Sequence, residues 1–341
     1  MRYTEKQGIE MLTSGDPIAL GREANAIREK LFGNTVTFIV DRNINYTNVC
    51  KNECKFCAFF RRKESKDAYL LTIEEILQKV QETVDAGGTQ VMIQGGLYPD
   101  LGLEYYENML RSIREKFPSI VIHSFTATEI QYFAQQAGIS IEDCLKRLQY
   151  AGLSSLPGGG AEILVDEVRK RVSPKKIMTE DWLHVMETAH KIGMESTATM
   201  VIGFGETMAQ RIEHMEKIRQ LQDKTGGFRA FISWTFQPGN TELGGEKNSG
   251  WDYMRNLAVS RLYMDNIPHI QGSWVTQGER IGQLTLGFGG DDLGSIMLEE
   301  NVVRAAGIAY EMSINKMVDM IKGAGREAAQ RDTKYNIIRR F

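Results

Sequence analysis

Three of the chain's four cysteines fall within eight residues, as Cys50-Lys51-Asn52-Glu53-Cys54-Lys55-Phe56-Cys57. Clustered thiolates are soft ligands, suited to zinc or to an iron–sulfur cluster. Three on one loop satisfy three irons of a [4Fe–4S] cube and leave the fourth iron open to a small chelating molecule. A structural zinc site is the competing reading. It needs four ligands, so Cys144 or a histidine would have to complete it. A ferredoxin would supply four cysteines and be much shorter.

Other chemistry-bearing residues come in short clusters. Gln94-Gly95-Gly96 is a turn in which glycine lets backbone approach a ligand closely. His123-Ser124-Phe125-Thr126 has Glu129 behind it. Pro157 to Gly160 is followed by Glu162, a carboxylate able to accept hydroxyl groups or simply to sit at a helix N-terminus. Gly203-Phe204-Gly205-Glu206 and Gly289-Gly290-Asp291-Asp292 complete the set. His123 is a candidate proton acceptor or a hydrogen-bonded core residue, and Asp292 a candidate base or a helix cap. Cys144, between Ile141 and Leu145, reads as core. His184, His190 and His214 fall on predicted helices.

The elements that must position these clusters alternate along the chain. Met1 to Gly33 reads as two short helices, since Ala24, Ile27 and Leu31 recur at helical spacing. Thr35 to Asn45 is a β-branched, apolar strand that runs into the cysteine loop. Thr72 and Glu75 form a capping-box pattern that opens a helix with Ile73, Leu77, Val80 and Val84 inward. Strands are expected at 90–94, 120–123, 154–156, 196–202, 229–236, 269–271 and 285–288, with helices between them and helices closing the chain. Eight strands alternating with helices predict an α/β fold, a (β/α)8 TIM-type barrel. Residues 1–34 would be an N-terminal helical extension and 35–341 the barrel with its C-terminal helices. Each cluster follows a strand, and the C-terminal mouth of such a barrel is where active sites lie.

Composition narrows the partners. The 341 residues carry a net charge of −3, so no overall basic field attracts nucleic acid or an anionic membrane. No apolar run is long enough to span a bilayer. The first residues show no signal-peptide core, and clustered rather than spread cysteines suit a reducing compartment. A cytoplasmic protein without nucleic-acid or membrane partners is expected.

The C-x3-C-x2-C spacing, with Phe56 before its last cysteine, resembles the radical S-adenosylmethionine superfamily. Cys50, Cys54 and Cys57 would then hold a [4Fe–4S] cluster whose open iron takes the cofactor's amino and carboxylate groups. The resemblance implies cofactor contacts at Phe56, Gln94, Gly95, Gly96, Ser124, Glu162 and Gly203, with Glu162 on the ribose hydroxyls. Asn45 to Cys50, Cys57-Ala-Phe-Phe, HSFT at His123, LSSLPGGGAEI at Leu153 and WTFQPGNT at Trp234 resemble a narrower group. It contains the futalosine-pathway enzymes of menaquinone biosynthesis and deazaflavin (FO) synthase. HSFT and WTFQPGNT are most similar to the dehypoxanthine futalosine cyclases. That similarity implies a nucleoside-like substrate, hydrogen removal at ribose C4′, and radical addition to a benzoate ring. It also implies an electron donor such as flavodoxin or ferredoxin. A base for the final proton loss would come from His123, Glu129 or Asp292. Aminofutalosine synthase, one half of deazaflavin synthase, and a zinc-stabilised binding protein are the alternatives.

Overall fold

The computed structural model describes residues 2–341. Helices α1 (Glu5–Ser14) and α2 (Pro17–Phe32) lead into strands β1 (Thr35–Ile39) and β2 (Asp41–Ile44). After the cysteine loop come α3 (Ile73–Asp85), β3 (Gln90–Ile93), α4 (Leu103–Lys116) and β4 (Val121–Ser124). Four helices follow, α5 (Ala127–Ala137), α6 (Ile141–Ala151), α7 (Asp166–Val172) and α8 (Thr179–Lys191). Then come β5 (Ser196–Ile202), α9 (Met208–Thr225), β6 (Phe228–Thr235), α10 (Gly250–Tyr263), β7 (His269–Gln271) and α11 (Glu279–Leu284). The chain closes through β8 (Asp292–Ser295), α12 (Val302–Ala305), α13 (Ile314–Gly323), β9 (Glu327–Arg331) and β10 (Ile337–Arg340).

The strands form the expected parallel barrel, with two irregular staves. The first is split at Val40. Its lower half, β1, pairs with β8 and β9, and its upper half, β2, pairs with β3. The fourth, around Ser155, enters only through the bridges His123–Ser155 and Leu156–Ser196. With β3–β4, β5–β6, β6–β7 and β7–β8 parallel, the ring closes. Helices α1 and α2 lie outside it, packed on α9 and α10. Among the described residues no helix is long and apolar enough to cross a membrane.

Local sequence explains the elements that frame the site. Thr72 and Glu75 do close a capping box on α3. The buried row of that helix is Ile76, Val80 and Thr83, not the expected Ile73-Leu77-Val80-Val84, and Val84 is exposed. One helical step is 100°, so a shift of one row still leaves Ile73 and Leu77 at the edge of the core. Thr126 and Glu129 form the same box on α5, which starts directly behind β4.

Two expectations near the C-terminus are corrected. Thr285 to Phe288 is not a strand: 285–287 is a 3₁₀ turn, locked by the Gly290 amide bonding the Thr285 carbonyl at 3.0 Å. The eighth strand is β8, so Asp292 lies in the barrel wall and not in a loop beyond it. The chain also closes with the β9–β10 hairpin and not with helices. Its strands EAAQR and IIRR carry too little apolar alternation to register as strands.

This hairpin supplies the barrel floor. Arg331 on β9 meets both oxygens of Asp292 at 2.6 and 2.9 Å. The Thr37 hydroxyl and the Gly294 amide also donate to that carboxylate, at 2.6 and 2.8 Å. Thr333 donates to Gln90 at 2.8 Å, and Gln90 to Asp41 at 2.5 Å. A second apolar cluster, including Val36, Phe38, Leu293 and Met317, seats the hairpin and α13 against β1 and β8.

Removing one partner of a buried pair leaves the other charge uncompensated. Asp292→Asn should lower unfolding free energy by about 3 kcal/mol in urea titration; an unchanged midpoint would contradict this account of the floor. A second expectation concerns acid. Burial holds His123, His190 and His214 below the ordinary histidine value of 6.5, His190 at about 4 and His214 at about 3. Unfolding frees these rings to bind protons below pH 6.5, so stability is full above that value and falls as pH drops through it. Urea midpoints at pH of about 7.5, 6.5 and 5.5 should decline in that order.

Candidate functional site

The cysteine loop leaves the top of β2 and is pinned at both ends. The Cys50 amide bonds the Arg61 carbonyl at 3.0 Å, and the Arg61 amide bonds that of Asn48 at 2.7 Å. The Lys51 and Lys55 amides tie the loop to the Leu97 and Val172 carbonyls at 3.2 and 3.0 Å, and the Leu243 amide bonds the Lys55 carbonyl at 2.8 Å. The Arg61 guanidinium caps the carbonyls of Ala58 and Phe60 at 3.0 and 2.9 Å and pairs with Asp67. It is a brace for the loop, not a substrate contact.

Cys50, Cys54 and Cys57 face one cavity of about 810 Å³, which also meets Gln94-Gly95-Gly96, Phe56 and Glu162. Burial pushes the Cys54 thiol up to about 12 and raises that of Cys57. These sulfurs are protonated thiols until a metal replaces the proton. No histidine lines this cavity. Cys144 sits on α6, its sulfur 3.9 Å from the Ile130 carbonyl, with burial raising its pKa to about 12. The fourth cysteine or the histidine of a structural zinc site is therefore absent there among the described residues, whereas three thiolates suit a cube with one open iron.

Gly95 and Gly96 make the opposite wall. A β-carbon on Gly96 would stand 2.1 Å from the Val49 carbonyl oxygen, and one on Gly95 2.6 Å from the Tyr46 ring. Neither position accepts a side chain. Glu162 has φ +42° and an 8% exposed side chain reaching the cavity. Lys176 donates to one of its oxygens at 2.7 Å; the other is buried with no hydrogen-bond partner. Thr128 Oγ1 is a second orphaned atom in the same wall. A ribose with two hydroxyl donors satisfies such acceptors, so the residues present fit the cofactor. Burial lowers the Lys176 pKa, but Glu162 and Cys54 beside it outweigh burial and raise it.

Below this cavity lies another of about 870 Å³ inside the barrel. Gln94 lines both, so the two cavities adjoin at its side chain. His123 faces the barrel cavity, its Nδ1 2.7 Å from Ser155 Oγ. Burial, then Arg229 and Arg331, hold it well below the ordinary value, so it is neutral.

Other expected site residues take different roles. Glu129 is fully engaged: Tyr46 and the Gly95 amide donate to one oxygen at 3.0 and 3.1 Å, and the Thr126 amide and hydroxyl to the other at 2.8 Å. It organises the glycine turn and has no lone pair left to act as a base. Asp292 is spent on Arg331 and is likewise no base. Ser124 is buried between strands, accepting the Ile93 amide at 3.2 Å, and lines neither cavity. Gly203 has φ +107° and its amide bonds Glu206 at 3.0 Å, so it shapes a turn. Its neighbour Phe204 packs on Phe56, with ring centroids 5.2 Å apart.

Asp41 and Arg229, both lining the barrel cavity, escaped the sequence reading. For Arg229 the signal was present, since it is a charge inside an apolar strand run, whereas Asp41 opens the polar run Asp41-Arg42-Asn43.

Glu162→Gln removes the strongest acceptor in the cofactor wall. It should weaken S-adenosylmethionine binding roughly tenfold while the cluster's visible absorbance persists; unaltered affinity would reduce Glu162 to a partner for Lys176.

Comparison with known proteins agrees with this geometry. The Radical SAM superfamily model matches residues 44–218, and the CofH/MqnC C-terminal region model matches 225–340. The cyclic dehypoxanthine futalosine synthase of Halalkalibacterium halodurans is 47% identical over 342 residues, covering 100% of this chain and 92% of that one. The 5-amino-6-(D-ribitylamino)uracil–L-tyrosine 4-hydroxyphenyl transferase of Archaeoglobus fulgidus is 40% identical, covering 95% and 94%. In fold, the FeFe-hydrogenase maturase HydG from Carboxydothermus hydrogenoformans superposes with a TM-score of 0.78 at 16% identity, over 98% of this chain and 77% of that one. A cavity ringed by three thiols, a glycine wall and full-length relatives lead to one assignment: the chain belongs to the radical SAM superfamily, in the family of the cyclic dehypoxanthine futalosine synthases.

Proposed function

We propose that the chain converts dehypoxanthine futalosine to cyclic dehypoxanthine futalosine in menaquinone biosynthesis. The carrying observation is 47% identity over the whole chain to a synthase of that name, against 40% to the transferase. Cluster and S-adenosylmethionine, when bound, supply the radical chemistry that removes hydrogen from ribose C4′ of the substrate. The resulting carbon adds to the substrate's benzoate ring, and loss of an electron and a proton restores aromaticity.

The chain's own residues bind, orient and move a proton. Cys50, Cys54 and Cys57 hold the cluster. The Gln94-Gly95-Gly96 backbone receives the cofactor's methionine end, Glu162 its ribose, and Phe56 with Phe204 its base. The substrate occupies the barrel cavity, with its C4′ facing the cofactor beside Gln94, where burial excludes water and holds reacting atoms close. His123 accepts the ring proton in the last step, since it is neutral and faces that cavity.

Lys51, Lys55, Arg62, Lys63 and Lys175 surround the loop. They suit an acidic carrier, a flavodoxin or ferredoxin, as electron donor. The cytoplasm is the proposed compartment, and 1–34 a helical extension to a 35–341 catalytic unit.

Anaerobically reconstituted protein, given S-adenosylmethionine, a reductant and dehypoxanthine futalosine, should yield a product lighter by two hydrogens with matching 5′-deoxyadenosine. 5′-Deoxyadenosine beside untouched substrate would move the function to a sister reaction. Cys57→Ala should lose cluster absorbance and 5′-deoxyadenosine together. His123→Gln should keep both and slow cyclised product about 100-fold.

A further inference from the structure

The barrel cavity holds two guanidinium groups in unlike states. Arg331 meets Asp292 through two bonds, so its charge is answered. Arg229, at the start of β6, has no such partner. Its Nη2 donates to Ser155 Oγ at 3.3 Å, and its Nη1 reaches one oxygen of the half-exposed Glu195 at 3.4 Å. Its Nε is buried and bonds to nothing. The side chain is only 10% exposed. Five N–H donors in a planar fork are thus met by two long contacts, a costly arrangement for a buried charge unless an anion completes it. No other Lys or Arg lines this cavity among the described residues. Trp234, further along the same strand, adds a second buried donor with no partner, its indole Nε1.

We propose that Arg229 binds the carboxylate of the substrate's benzoate ring, which rests on the function proposed above and names the group that holds its aromatic end. A carboxylate matches the guanidinium fork, which a lysine's point charge does not. Ser155 Oγ links this anchor to the proton acceptor, lying 3.3 Å from Arg229 Nη2 and 2.7 Å from His123 Nδ1. A ring held by its carboxylate at Arg229 therefore lies beside the imidazole that takes its proton. Arg229 is a substrate-positioning residue, and its loss acts on KM more than on kcat.

The test uses cluster-loaded protein with the substrate and with its analogue in which the carboxylate is a carboxamide. Wild-type protein should favour the carboxylate roughly 30-fold in kcat/KM. Arg229→Gln should abolish that preference and raise KM for the substrate roughly 30-fold, with kcat changed far less. Arg229→Lys should fall between them, and it carries the same comparison should Arg229→Gln not fold. An equal preference in wild-type and variant protein would overturn the proposal. Wild-type protein that cleaves S-adenosylmethionine but leaves the substrate untouched would bring down the proposed function instead. Free benzoate, titrated by NMR, then decides the anchor alone: binding lost in the variant supports it, and binding retained overturns it.

Discussion

Gly96 has no room for a β-carbon, because the Val49 carbonyl oxygen would stand 2.1 Å from it, and Gly95 is pressed as closely against the Tyr46 ring. This contact joins the turn after β3 to the strand end that launches the cysteine loop. Glu129 fixes it from behind, taking the Gly95 amide and the Tyr46 hydroxyl on one oxygen and the start of α5 on the other. One buried carboxylate thus sets three segments at once. The positions of the thiols, of the glycine backbone that faces them, and of Gln94 between the two cavities all follow from it.

Buried charge is distributed to match. Asp292 and Arg331 answer each other, Glu206 is met by Arg211 at 2.9 Å, and Asp291 accepts from His269 and the Ile270 amide at 2.6 and 2.8 Å. These pairs lie in the floor and walls, where a satisfied ion pair rigidifies. Two incomplete groups are elsewhere: one oxygen of Glu162 in the upper cavity, and the guanidinium of Arg229 in the lower one. Other unpartnered polar atoms, such as His214 Nε2 and Asn256 Oδ1, lie in the core, but these two groups face cavities that a ligand can enter.

Much of this was legible in the sequence because periodicity and spacing are local signals. The cysteine triplet, the capping boxes at Thr72 and Thr126, and the alternation of strands with helices need no tertiary information. What failed depended on partners distant in sequence. Asp292 reads as a loop residue until Arg331 and Thr37 are beside it. Ser124 and Glu129 stand next to His123 in the chain, but the pleat and the helix turn them toward the wall. The hairpin β9–β10 is polar because it is an edge, and polar strands carry no alternation to read. Arg229 was visible as a charge in an apolar strand and Asp41 was not, and only closure of the ring shows that both face a cavity.

The floor has a bearing on how the chain is assembled. β1 pairs with Glu327 to Gln330, so the edge of the first strand stays unpaired until the hairpin is available. A nascent chain emerging from the ribosome therefore exposes an apolar strand edge through most of its synthesis, and pairing at such sequence separation is slow. The cysteine loop hangs from the upper half of that same stave. Cys50 and Cys57 stay partly exposed in the finished fold and line a cavity with Cys54, so iron can reach the loop after the ring has closed. Ring closure thus waits on Glu327 to Gln330, and a chaperone that shields the open edge until then would favour correct pairing.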